Sequence, residues 1–104
     1  MRIYLSGKID GDPDYEDKFN KIEEELSSEG EIVNPAKLAK ELQAEFMTKI
    51  LEEPKYGDYL LYSLNHIPFC NVIYMLKDWK ESKGAKVEHA FAEALGINIL
   101  YENS

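Results

Sequence analysis

The sequence predicts a single α/β domain, a three-layer sandwich around a parallel sheet of about four strands. Three observations predict it. Short apolar runs alternate with stretches whose apolar residues recur at helical spacing. One run, Val72-Ile73-Tyr74-Met75-Leu76, is continuous rather than alternating, the pattern of a parallel strand covered on both faces. The 104 residues, 44% hydrophobic and 31% charged, suffice for one small core spanning 1–104 and leave no room for a second.

Taken in order, Arg2 to Leu5 is a buried first strand that runs into the loop SGKIDGDPD. Asp12-Pro13 reads as a cap followed by a first-turn proline, opening a helix. Tyr15, Phe19, Ile22 and Leu26 form its apolar stripe, Gly30 its stop, and Lys21, Glu23, Glu24 and Glu25 its solvated face. Glu31 to Val33 is a short second strand. Asn34-Pro35 repeats the cap-and-proline signal, and Leu38, Leu42, Phe46 and Ile50 carry a second helix toward Glu53-Pro54, because proline disfavours helix in the residue before it. Tyr56 to Ile67 reads as a third helix, with Tyr59, Ser63 and Ile67 on one side, ended by Pro68. Cys70 is a small buried residue at the entry to the third strand. A fourth helix begins near Ala85, and Ile97 to Tyr101 is the last strand, after which Glu102 to Ser104 is expected to fray. Right-handed crossovers between parallel strands then give a flavodoxin-like, Rossmann-like order. In such sheets ligands sit beyond the carboxyl ends of the strands, where the order reverses. The loops SGKIDG and DWKESKG, after the first and third strands, should therefore line one crevice.

Charge and composition exclude several classes. A net charge of −8 argues against polymeric nucleic acid, whose affinity comes from neutralising phosphates with Lys and Arg. One free nucleotide is compatible with it, because Lys77, Lys80, Lys83 and Lys86 surround the DWKESKG loop. No apolar run approaches membrane-spanning length and no signal-peptide succession opens the chain, so a cytoplasmic protein with no membrane partner is expected. Cys70 is the one cysteine and makes no internal disulfide. With only His66, at a helix end, and His89, facing solvent, no metal-ligand spacing exists, and neither metal nor cofactor is expected.

The fourth helix carries the most informative residue. Lys86, His89 and Glu93 share one polar arc, Val87, Phe91, Ala94 and Leu95 form the opposite stripe, and Glu88 projects between Leu95 and the pair Ala92 and Ala85. A carboxylate there faces inward, and a buried charge is expensive unless compensated. It is either a structural acceptor for a neighbouring loop or a catalytic group, kept ionised by the positive end of the helix dipole. An oriented carboxylate in a dry pocket is what a glycosyl-transfer nucleophile needs. Tyr4 could reach it from the first strand, or simply fill core. Gly7 and Gly11 bracket Lys8-Ile9-Asp10, either as a tight turn or as a loop presenting N–H groups and the Lys8 charge to an anion. Ser82 stands at the helix mouth, placed to bind an anion or to cap the helix. Trp79 either stacks on a base or covers core.

IYLSGKIDG, the NP after the second strand, and KGAKVEHAFAEALGI together resemble the nucleoside 2-deoxyribosyltransferase-like superfamily over nearly the whole chain. The likeness is to an uncharacterised phage and bacterial branch, with 2'-deoxynucleoside 5'-phosphate N-hydrolase the nearest branch of known activity. The resemblance implies that Glu88 is the nucleophile at the anomeric carbon and that Tyr4 orients it. It implies substrate contacts from Ser6, Gly7, Lys8, Ile9 and Gly11 in the first loop, and from Ser82 and Gly84 in the second, with Ser82 contacting a 5'-phosphate. The expected activity is cleavage of the N-glycosidic bond of a 2'-deoxynucleoside 5'-monophosphate by hydrolysis or base transfer, in a homodimer or larger homo-oligomer. One departure matters. Ser63-Leu64 stands where the enzymes carry an aspartate followed by leucine, and a serine cannot protonate a leaving base; losing a general acid costs about 10²- to 10⁴-fold in rate. The alternative is a weak or inactive nucleotide-binding module, and a third reading is an interaction protein with a vestigial crevice. Asp10, Asp78 and Glu81 are the acids that could replace the missing one. Asn71 also departs, standing where relatives often have aspartate, a strand-entry change of little chemical consequence.

Overall fold

The computed structural model describes residues 1–103. Four strands, β1 (Arg2–Ser6), β2 (Glu31–Val33), β3 (Val72–Met75) and β4 (Asn98–Tyr101), alternate with four helices, α1 (Tyr15–Leu26), α2 (Pro35–Lys49), α3 (Tyr56–His66) and α4 (Lys83–Leu95). Helices α2 and α3 follow one another without a strand between them. Short 3₁₀ turns at Ile67–Phe69 and Trp79–Glu81 flank β3. All strand pairs are parallel, in the order β2-β1-β3-β4, so the order reverses between β1 and β3. This is the flavodoxin-like arrangement the alternation predicts. Among the described residues no helix is long and apolar enough to cross a membrane.

Side chains alternate across the sheet and feed two cores. Ile3, Leu5 and Val72 meet Phe19 and Ile22 of α1 on one face. Tyr4, Ile73 and Met75 meet Leu38 of α2 and Ala85 and Ala92 of α4 on the other. Phe19 is fully buried, and its truncation to alanine would cost about 3–5 kcal/mol.

Several boundaries differ from the sequence reading for local reasons. Helix α1 starts at Tyr15 rather than Pro13, because Asp12 is held in a turn ahead of it, between Ile9 and Tyr15, and Asp14 takes the cap position. One oxygen of the Asp12 carboxylate accepts the Asp14 N–H at 3.0 Å and the other takes the Lys18 ammonium at 2.6 Å. Gly30 is no helix stop, since α1 ends at Leu26 with Ser27 as its cap. A Cβ on Gly30 would lie 2.3 Å from the Met1 carbonyl oxygen, so the glycine lets the chain pass the start of β1. Helix α2 stops at Lys49, before Glu53-Pro54, and Leu51 turns the chain with φ of 62°. Glu23 is not merely solvated: it accepts from the side chains of Asn34 and Lys37, tying α1 to α2.

The buried side of α4 is Ala85, Glu88 and Ala92, about 100° round the helix from the stripe expected at Val87, Phe91, Ala94 and Leu95, of which Phe91 does pack, half-buried, against the core. Val87 and Leu95 are exposed. Ala85 and Ala92 are small, and the fully buried ring of Tyr4 packs in the same core cluster. His89 does not face solvent freely. It stacks on Trp79 with ring centroids 4.3 Å apart and shares a 2.8 Å hydrogen bond with the Tyr101 hydroxyl. Trp79 packs against the core rather than into the crevice.

Candidate functional site

Residues two apart on a strand point to the same face, roughly 7 Å from one another. On β1 this places the hydroxyls of Tyr4 and Ser6 on the side covered by α4, where they bracket one carboxylate. The Tyr4 hydroxyl donates to Glu88 Oε2 at 2.6 Å and the Ser6 hydroxyl donates to Oε1 at 2.6 Å. All three side chains are buried, with Glu88 at 7% exposure. Burial pushes the Glu88 carboxyl up to about 7, and the Ser6 and Tyr4 hydrogen bonds offset only part of that rise. Glu88 is the sixth residue of α4, beyond the first turn where the dipole acts most strongly. The expectation of a dipole-held, fully ionised carboxylate is therefore corrected: near neutral pH both protonation states are populated. Burial, and behind it the Glu88 charge, hold the Tyr4 phenol well above its ordinary value, while the neighbouring Ser63 hydroxyl lowers it in part. Tyr4 thus stays a proton donor.

Glu88 lies on the wall of a cleft of about 980 Å³ beyond the carboxyl ends of β1 and β3, at the point where the strand order reverses. The first loop contributes Gly7, Ile9, Asp10 and Gly11, and the second contributes Glu81, Ser82, Lys83 and Gly84, as the sequence predicts. Ser63 lines it from α3. Lys8 does not; its backbone N–H instead donates to Asp78 Oδ1 at 3.0 Å. Ser82 caps α4, its hydroxyl oxygen accepting the Ala85 N–H at 3.1 Å. Of the three acids considered as proton donors, Asp10 and Glu81 line the cleft, whereas Asp78 is engaged by Lys18 at 2.6 Å.

The sequence profile of a family described as a domain of unknown function, DUF4406, matches residues 1–101. The chain belongs to that family. No curated protein matches it. In this DUF4406 chain two features escaped the sequence reading. Ser6 was expected to touch substrate, yet its hydroxyl is spent on Glu88; the same-face spacing from Tyr4 is the signal that could have shown it. Tyr15, Tyr56, Tyr59 and Tyr62 add aromatic rings to the lining of the cleft, the Tyr56 hydroxyl lying against Gly84. The hydroxyl of Tyr59 accepts from Gln43 at 3.0 Å and that of Tyr62 donates to Glu41 at 3.1 Å, which fixes both rings from α2. Among the described residues no three His, Cys, Asp or Glu side chains are grouped to hold a metal ion. Cys70, its thiol pushed up to about 11 by burial, is no nucleophile.

Proposed function

We propose that the chain cleaves the N-glycosidic bond of a 2'-deoxynucleoside 5'-monophosphate through a glycosyl intermediate on Glu88. The observation that carries this reading is a buried carboxylate, oriented by two hydroxyls and opening onto a cleft at the switch point of the sheet. The motif resemblance to the deoxyribosyltransferase-like superfamily supports it. An ionised Glu88 oxygen attacks C1' while the C1'–N bond breaks, and the bond's electron pair leaves with the base. The base takes a proton from Asp10, Glu81 or solvent, since the Ser63 hydroxyl is far too weak an acid to supply it. Water then adds to C1' with loss of a proton, freeing the sugar phosphate and restoring the carboxylate. Interception by a second base makes the same site a transferase.

Purified protein incubated with each common deoxynucleoside monophosphate should release free base, detected by chromatography, and Glu88→Ala should abolish the release. Release that persists in the variant would remove Glu88 from the mechanism. Ser63 favours a second reading, a nucleotide-binding module with little turnover. That reading expects a nucleotide to raise the melting temperature without base release. The partner in either case is a nucleotide or nucleoside rather than a polymer or a membrane, in a cytoplasmic homodimer whose mass light scattering checks.

A further inference from the structure

The first loop has no helix or strand of its own between Ser6 and Tyr15, yet it supplies one side of the cleft. Its shape depends on polar ties, and two of them meet at one ammonium. Lys18, on the first turn of α1, donates to the Lys8 carbonyl at 2.7 Å, to Asp12 Oδ2 at 2.6 Å and to Asp78 Oδ2 at 2.6 Å. An ammonium has three N–H donors, so this one is saturated. Asp78 closes the circuit by accepting the Lys8 N–H on its other oxygen at 3.0 Å. Both backbone polar groups of Lys8 are thereby held by side chains from elsewhere in the chain. The three charged side chains are about a quarter exposed, at 24% for Lys18 and 23% for each aspartate. Neither Lys18 nor Asp78 lines the cleft.

We infer that Lys18 is a positioning residue that locks the Gly7–Asp12 loop to the Asp78–Ser82 segment and so sets how tightly the cleft holds a nucleotide. The inference rests on the functional reading above for its ligand, but not for its mechanics. Asp12 and Asp78 both aim a carboxylate at one spot, and only the ammonium between them makes that arrangement favourable. Removing it leaves two carboxylates in mutual repulsion, one on each loop, which spreads the cleft. Glu88 takes its own two donors from β1, upstream of the lock, so the reacting carboxylate stays oriented when the loops loosen. Lys18 therefore acts on binding more than on chemistry.

The test compares Lys18→Met and Lys18→Arg with the natural chain, by backbone hydrogen exchange of the unliganded proteins and by kinetics with a deoxynucleoside monophosphate. Lys18→Met should speed exchange across residues 7–12 and 77–82 by about tenfold, leave the central amides of β1 and β3 unchanged, and raise KM about tenfold with kcat within about twofold. Lys18→Arg, which keeps the charge and several donors, should restore most of both. Should Lys18→Met not fold, Asp78→Asn cuts the same tie from the other side: its amide oxygen still accepts the Lys8 N–H while its NH2 group cannot accept from Lys18, so exchange in the two loops should again rise. Exchange that is unchanged in the two loops, or raised uniformly through the molecule, overturns the inference. If the natural chain releases no base, the dissociation constant of the nucleotide replaces KM; if it binds none, the functional reading fails while the exchange result still decides the role of Lys18.

Discussion

Glu88 and Lys18 place charge in opposite company. Glu88 carries a carboxylate into the interior and meets two neutral hydroxyls, and it takes part in none of the described ion pairs. Lys18 carries an ammonium into a partly exposed niche and meets two carboxylates and a carbonyl. The charge without a counter-ion titrates near neutrality, while the balanced one has its ordinary value raised further by Asp12 and Asp78 against the opposing effect of burial. A fold tolerates the first arrangement only at a cost in stability. The second holds parts together.

The largest expected effect that separates them is on stability. Between about pH 4.5 and 7 the folded chain retains a proton on Glu88 that the unfolded chain has lost, so the unfolding free energy falls as pH rises through that window. The full penalty above it is about 3 kcal/mol, at roughly 1.4 kcal/mol for each pH unit between the two values. Glu88→Gln should abolish this loss and be the more stable protein at pH 8, measured by urea denaturation at each pH. Asp12 and Glu23, whose carboxyls are lowered, contribute stability that disappears only as pH falls below the ordinary carboxylate range, outside this window. A natural chain with flat stability from pH 4.5 to 8 would break the contrast.

Restoring an acid sharpens it from the side of chemistry. Ser63→Asp should raise base release by up to about 10²-fold and turn a simple rise with pH into a bell, since one carboxyl must be ionised and the other protonated. No increase would mean that the leaving base lies elsewhere. A smaller effect follows from removing one donor. Tyr4→Phe should move the midpoint of the pH–rate curve up from near 7 by about one pH unit, lowering the rate at neutral pH about fivefold. The smallest is a matter of screening. In 1 M salt, where the Debye length is about 3 Å, the difference in melting temperature between Lys18→Met and the natural chain should shrink, whereas that for Glu88→Gln should not.

The strands and the inward aim of Glu88 were legible because they rest on local pattern. A continuous apolar run has one explanation in a parallel sheet, and a lone acid beside Ala85 and Ala92 has few. The orientation of α4 was not legible, because hydropathy favours the bulky Val87 and Leu95 while close packing favours alanine. Of the partners of Glu88, Tyr4 was legible, whereas Ser6 needed the strand's pleat as well as its sequence. The Lys18 lock joins positions 8, 12, 18 and 78, and the last of these is brought in only by the pairing of β1 with β3. Tyr56, Tyr59 and Tyr62 lay on a helix whose wet and dry sides look alike when the dry side faces a cleft.

Gly7 sits where β1 gives way to its loop, and there a Cβ would come within 2.9 Å of the Leu76 Cβ and 3.1 Å of Asp78. The Leu76 N–H is bonded to the Ser6 carbonyl at 2.8 Å, which holds the Leu76 Cβ in place beside Gly7. Any attempt to re-engineer what this crevice accepts must therefore leave position 7 bare and vary Ile9 and Asp10 instead, where the walls of the site are made of replaceable side chains rather than of the frame itself.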